Sequence, residues 1–267
     1  MRSGKFKLLV SILTLSYIIT GCGGGSSSSK IAKNMLKITD QNQEEVLKSF
    51  KASTSITVST LMFRVANSLP FFSNAARQCD ISGSVSINTT AIKSTLIYDK
   101  CKDRDFYHNG SISAEQSGNK VTYTTKEFEE YTYDANGKKY FGFKIKDFSL
   151  MYDNSNNIEI VVDGDFQNFK NNHSLTLKDY KINSSSNKAT IDGYFSSKAT
   201  DNKWIEIEQI KEFAKTEGEV KLNGKKSYMS LKVKPDKSID LYVNGKFKHN
   251  YKDWSDIPDY FILPANY

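Results

Sequence analysis

From residue 81 onward the chain alternates between apolar and polar positions. Val85 and Ile87, Leu96 and Tyr98, Val121 and Tyr123, Leu175 and Leu177, and Ile205 and Ile207 stand two residues apart, as do Phe141, Phe143 and Ile145. Successive side chains of a strand point to opposite faces, so this period gathers the apolar set on one face of a sheet. Hairpin signals separate the runs: Asn136-Gly137, Asn223-Gly224, Asn244-Gly245 and the turn Pro235-Asp236-Lys237. Short turns with no helical stretch between them predict antiparallel pairing over 76–267, in about eleven to thirteen strands.

Residues 30–69 follow another period. Leu47, Phe50, Thr54, Val58, Leu61 and Val65 recur at three- and four-residue steps, the stripe of an amphipathic helix. Thr39, Asp40 and Asn42 are candidate N-caps, and Glu44 and Glu45 suit the positive end of the helix dipole. The β-branched cluster between Ser53 and Thr60 lowers intrinsic propensity, so burial must hold that part of the helix. Pro70 ends it. The expected fold class is mainly β with an N-terminal helix (α+β). A curved antiparallel sheet built from hairpin repeats carries one amphipathic helix packed on it.

The repeats are visible in the residues. Glycine followed two positions later by Val, Ile or Phe occurs at Gly83, Gly110, Gly164, Gly193, Gly218 and Gly245, spaced 27, 54, 29, 25 and 27 residues apart. Gly137 divides the long interval. A second element is Lys, an acid, then an aromatic: Lys126-Glu127-Phe128, Lys146-Asp147-Phe148, Lys178-Asp179-Tyr180, Lys211-Glu212-Phe213 and Lys252-Asp253-Trp254. It breaks the alternation, since Ile145 is followed by Phe148 and Leu177 by Tyr180, an odd step each time. A bulge must absorb the extra residue or the apolar set would change faces. The triplet aromatics are therefore expected in the core. Rings exposed in a row would instead make a ligand platform.

Composition places the chain. Its 267 residues carry 37 Lys+Arg against 30 Asp+Glu and suffice for one sizeable core. No apolar run reaches the ~20 residues of a spanning helix. Arg2, Lys5 and Lys7 precede an apolar stretch, Leu8 to Ile19, of signal-peptide length. It ends in Ile19-Thr20-Gly21-Cys22, which resembles a bacterial lipobox. That resemblance implies a thioether-linked diacylglycerol on Cys22, and Gly23 after it implies sorting to the outer membrane. The competing reading is an ordinary secretory signal in which Cys22 is incidental. Residues 23–29, three glycines and four serines, read as a tether of roughly 15 Å. The expected organisation is a signal peptide over 1–21, anchor and tether over 22–30, a helical segment over 31–75 and a β domain over 76–267. Losing Arg2, Lys5 and Lys7 lowers the formal net charge from +7 to +4. No Lys/Arg run exceeds two, so no nucleic-acid partner is expected. The expected partner is a membrane, reached through acyl chains on Cys22, with any protein or lipid partner unspecified.

Cys79 and Cys101 remain as a pair. In an exported chain an even remainder suggests a disulfide, closing a loop of about 22 residues worth roughly 3 kcal/mol. The alternative is two free thiols. A metal site needs more ligands than the nearby His108 supplies, and thiol catalysis lacks a CxxC, so no metal or cofactor is expected. His108, His173 and His249 sit in polar, turn-like stretches and read as surface histidines. Asp153-Asn154-Ser155-Asn156-Asn157 resembles a calcium loop but lacks its sixth-position glycine and twelfth-position glutamate, and reads as a turn. Glu206 with Glu208 and Asp163 with Asp165 are carboxylate pairs that strand alternation produces by itself. Trp204, Trp254 and the fifteen tyrosines offer platform material, but strands favour aromatics anyway. No catalytic residue is named and no enzyme is expected.

Lipobox, Gly/Ser tether, a helix beginning near Thr39-Asp40-Gln41-Asn42-Gln43-Glu44-Glu45-Val46, and a cysteine pair amid Asn-Gly-x-aliphatic strands together resemble a loose group of uncharacterised β-rich proteobacterial outer-membrane lipoproteins. The resemblance implies an exported, lipid-anchored envelope protein and supports the helix-plus-sheet fold, but brings no activity. The expected function is a structural or binding module of the envelope. The alternatives are a carrier of lipid or hydrophobic ligands on a half-barrel-like sheet, and a carbohydrate-binding module or glycosidase.

Overall fold

The computed structural model describes residues 28–57, 61, 76–185, 188–214 and 217–261. The lipobox-like segment and most of the expected tether lie outside them. Among the described residues two helices, α1 (Ser28–Lys33) and α2 (Gln43–Ser55), precede the strands. These are β1 (Arg77–Gln78), β2 (Ser82–Thr89), β3 (Lys93–Lys102), β4 (Phe106–Ser117), β5 (Lys120–Tyr133), β6 (Lys139–Asp153) and β7 (Ile158–Asn168). They continue as β8 (His173–Ser185), β9 (Lys188–Ser197), β10 (Trp204–Ala214), β11 (Glu217–Gly224), β12 (Ser227–Val233), β13 (Ile239–Val243) and β14 (Lys246–Tyr251). All fourteen form one antiparallel sheet whose spatial order is the chain order, with β1 and β14 at its edges. The strand beyond the expected thirteen is accounted for by β1, two residues long and too short to show a period.

A row of irregularities crosses this sheet where the triplets fall. Between β4 and β5 the register steps from Asn109↔Glu129 to Ser111↔Lys126, so Gly110 alone faces Glu127 and Phe128. Between β8 and β9, Gly193 alone faces Asp179 and Tyr180. Between β2 and β3, Gly83 alone faces Lys100 and Cys101. The extra residue is left-handed each time: Glu127 has φ 51°, Asp179 48° and Lys100 46°. The glycine opposite is required. A Cβ on Gly193 would stand 2.4 Å from the Asp179 carbonyl oxygen, and one on Gly110 2.5 Å from that of Glu127, with φ of +114° and +102°. The row continues as register shifts at Lys146 in β6 and along β10 near Phe213. Bulges bend and twist their strands, which curves the sheet. Gly137 and Gly245 share the glycine spacing but lie in turns.

The bulges let apolar residues on both sides of the slip face the same way. Phe143, Ile145, Phe148 and Leu150 are all buried, as are Phe128, Leu177 and Tyr180. Phe213 is partly buried, and Trp254 follows β14 in a single 3-10 turn rather than in a bulge.

Helix α2 covers the core face at β8 and β9. Phe50 packs against Phe195 at 6.2 Å, Ser49 Oγ lies 2.8 Å from Ser197 Oγ, and Ser53 Oγ is 3.2 Å from the Tyr180 hydroxyl. Burial pushes that hydroxyl's pKa up to about 12. Leu47 and Phe50 of the expected stripe are buried, as is Leu61, while Val58 and Val65 lie outside the described residues. Asn42 holds the N-cap position, but its Oδ1 accepts from the Thr39 backbone N–H instead of a helical one. The chain after β14 closes the far side of α2: Trp254 meets Phe50 edge-on at 5.9 Å, and Lys51 Nζ donates to the Ile257 carbonyl and pairs with Asp259 at 2.8 Å.

Three turns are as expected: Asn136-Gly137 lies in the turn between β5 and β6, where the Gly137 N–H donates to the Asp134 carbonyl at 2.9 Å. Asn244-Gly245 joins β13 to β14 with φ of 48° and 78°, the signature of a type I′ hairpin, and Lys237 closes the Pro235 turn at φ 72°. Asn223-Gly224 is corrected: both residues are paired within β11, and the turn is Lys225-Lys226. Gly224 serves close approach. The Leu36 carbonyl oxygen lies 2.3 Å from where its Cβ would be and accepts the Lys225 N–H at 2.7 Å.

Phe148→Ala and Tyr180→Ala should each cost about 2–5 kcal/mol, cavity included, against under about 1 kcal/mol for Lys146→Ala or Lys178→Ala. Chemical-denaturation midpoints of the four variants check this. Gly193→Ala should destabilise by at least about 1 kcal/mol, as expected for a forced positive φ.

Candidate functional site

The structure separates the sequence candidates by face. Cys79 and Cys101 form a disulfide with Cα atoms 5.5 Å apart. Asp103, 4.0 Å from Cys101 Sγ, takes the Arg77 guanidinium in a two-point pair of 3.0 and 2.5 Å and the Asp80 N–H at 2.9 Å. The hydrogen bonds from Arg77 hold the Asp103 carboxyl below the usual carboxylate range. The sulfurs are spent on the bond and the carboxylate on the guanidinium, so the group closes a sheet corner.

The surface reading of His108 and His173 is overturned. His108 faces Cys101 on one side and Glu130 on the other in register. Its Nε2 lies 3.0 Å from Glu130 Oε2, whose side chain is 2% exposed, and Tyr98, Phe106 and Phe128 surround the imidazole. A turn-like sequence misled because Asn109-Gly110 enters a bulge, leaving His108 within the strand on the core face. His173 stacks on Tyr260 at 4.5 Å, and its Nδ1 lies 2.7 Å from the Tyr260 carbonyl oxygen. His249 is exposed, as expected.

The carboxylate pairs point to the opposite, outer face. Asn223 Nδ2 donates to Glu208 at 2.7 Å and to Glu206 at 3.4 Å, and Lys221 pairs with Glu208 at 3.2 Å. The Asn223 amide is the main cause holding the Glu208 pKa down. Asp163 pairs with Lys178 and accepts the Asp179 N–H, while Asp165 accepts from Thr176 Oγ1 at 2.7 Å. A general acid needs a raised carboxyl pKa, and the Asn223 amide moves Glu208 the other way. Asp153 caps its turn by accepting the Ser155 and Asn157 N–H groups, as expected.

Sequence reasoning missed one feature of the outer face. Gly142 has no side chain, and the Tyr131 ring fills the space: its Cδ1 lies 2.2 Å from where a Cβ would be. Tyr107 stands beside Tyr131, Phe169 meets it edge-on, and the Lys139 ammonium sits 3.3 Å from its ring centre. Burial, the first cause, and Glu129 raise the Tyr131 hydroxyl pKa. Next to this ring a groove of about 140 Å³ runs over Gly142 between Tyr131 and Phe169, with Lys144, Asp165 and Thr176 on its rim. Its signal was an even-numbered glycine inside an otherwise apolar run, where a strand glycine marks a close approach.

Comparison with protein-family models, with curated proteins and with solved structures finds no match to this chain.

Both thiols of exported protein should resist alkylation after denaturation without reductant and react after reduction, as mass spectrometry of the 79–101 peptides would show. Glu130→Ala should cost about 3 kcal/mol by stripping a buried partner from His108, and Glu130→Gln, which keeps an acceptor, nearer about 1 kcal/mol. For Asp103, whose folded pKa is depressed, the contribution is complete above its unfolded value near pH ~4 and lost as pH falls towards the folded one. Asp103→Asn should therefore flatten the acid limb of the stability profile.

Proposed function

We propose that the protein is a lipid-anchored, non-catalytic binding module of the cell envelope, held to the outer membrane through acyl chains on Cys22. One observation carries the binding reading: the two faces of the sheet are unequal. Helix α2 and the segment Trp254–Phe261 occupy the core face, where Phe50, Phe141, Phe166, Tyr180 and Phe195 are each at most 1% exposed. Among the described residues these closely covered rings speak against an open cavity for lipid cargo. Exchange with a partner is left to the outer face and the loops.

The groove over Gly142 favours carbohydrate as a second reading. Its aromatic walls and its rim of ammonium, carboxylate and hydroxyl groups match the mixed apolar and polar surface of a sugar ring. The lipobox and the Gly/Ser run support the anchor.

Cys22→Ala should abolish acylation and release the protein from the membrane fraction. Palmitate label entering the variant would defeat the anchor. Native mass spectrometry of the purified protein should show no lipid mass beyond the anchor, and a bound lipid would restore the carrier reading.

A further inference from the structure

The segment joining α1 to α2 is fastened to one end of the sheet. Trp204 N–H donates to the Asn34 carbonyl, Leu36 N–H to the Trp204 carbonyl and Lys225 N–H to the Leu36 carbonyl, at 2.9, 3.0 and 2.7 Å. Ile38 N–H donates to Ser227 Oγ at 2.8 Å, and Asp40 pairs with Lys248 at 2.7 Å. The chain thus runs across the end formed by the β9–β10, β11–β12 and β13–β14 turns.

That end is basic. Lys33, Lys37, Lys198, Lys225, Lys226 and Lys246 are all exposed there, and none has a carboxylate within ion-pair distance among the described residues. The acids of this end are taken: Asp201 by Lys203 at 3.3 Å and Asp40 by Lys248. Towards the other end the balance is mixed: Lys93, Lys211 and Lys234 pair with Glu115, Glu217 and Asp240 at 3.7, 2.7 and 2.9 Å, while Lys120 and Lys237 stand exposed in their turns. The small net charge of the whole chain hides this concentration, because the six lysines are scattered in sequence and meet only when the meander brings alternate turns together.

We infer that this end of the sheet rests on the anionic headgroups of the membrane that holds the protein. The inference builds on the acyl anchor. Six peptide links separate Cys22 from Ser28, a span of at most about 21 Å at full extension. A bilayer that holds Cys22 therefore lies close to the end where residues 34–38 are fastened. Exposed ammonium groups act on headgroup phosphates over about a Debye length, ~10 Å at 0.1 M salt, and a tether this short lets them approach to that range. The contact fixes an orientation: β strands upright, with the turns at Asn119, Asn156 and Lys237 farthest from the lipid.

Lysine acetylation footprinting tests this on the full-length protein, reconstituted in vesicles of phosphatidylcholine alone or mixed with phosphatidylglycerol. In the mixed vesicles Lys198, Lys225, Lys226 and Lys246 should label several-fold more slowly than Lys120 and Lys237 of the opposite turns. High salt, or the double variant Lys225→Glu/Lys226→Glu, should remove the protection at Lys198 and Lys246. Equal labelling at the two ends in mixed vesicles, or protection unchanged by salt and charge reversal, overturns the inference. Flotation with phosphatidylcholine vesicles scores the anchor separately. A protein that fails to float there has lost its anchor, and the footprint on mixed vesicles is still decided by the same comparison.

Discussion

A bulge in one strand needs a cross-strand neighbour with no side chain. This constraint organises the sheet. Glu127 and Asp179 turn into the left-handed region, their carbonyl oxygens swing towards the next strand, and only glycine can stand opposite, as Gly110 and Gly193 do. The slip lets Ile145 and Phe148, or Leu177 and Tyr180, face the same core although they are three residues apart. Without it, half of each long strand would present its apolar set to water. The repeated glycine and the repeated triplet are two halves of one device placed on neighbouring strands, as Gly110 opposite Glu127-Phe128 and Gly193 opposite Asp179-Tyr180 show.

The two faces follow from this bend. On the core side, aromatic rings meet α2 and the chain after β14, and the polar groups there are shared out: Ser49 with Ser197, Ser53 with Tyr180, His108 with Glu130, and Lys51 with Ile257 and Asp259. A buried polar group without a partner costs far more than a satisfied one returns, so these pairs fix where the helix and the tail can sit. On the outer side, cross-strand charges such as Lys181 with Glu159 and Lys232 with Glu219 lie at half-exposed positions. Such pairs add little stability and serve mainly to keep a wide sheet soluble. The Tyr131–Gly142 cover is the place where this polar surface becomes aromatic and grooved.

Much was legible in the sequence because it depends on neighbours two to four residues apart. Alternation gave the strands, the three-four step gave α2, Asn244-Gly245 and Pro235-Asp236-Lys237 gave their turns, and the odd step at the triplets gave the bulges. The pair of cysteines left once Cys22 is set aside gave the disulfide. The features that misled were those whose meaning comes from across the sheet. Asn223-Gly224 has the composition of a hairpin turn, yet Gly224 is kept small by the Leu36 carbonyl, which arrives from nearly two hundred residues earlier in the chain. His108 sits beside Asn109-Gly110, a pair that looks like a turn until Glu127 and Phe128 are placed opposite it.

The sequence alone determined the class of fold and the bends in its strands, since each is written in local pattern, and it alone carries the expectation of an export signal and of an anchor at Cys22. The tertiary structure decided which face is closed, which glycine meets which backbone, that Glu130 is buried against His108, and that six scattered lysines share one end. Those outcomes rest on register, and register is set by all fourteen strands together, so no local window contains them.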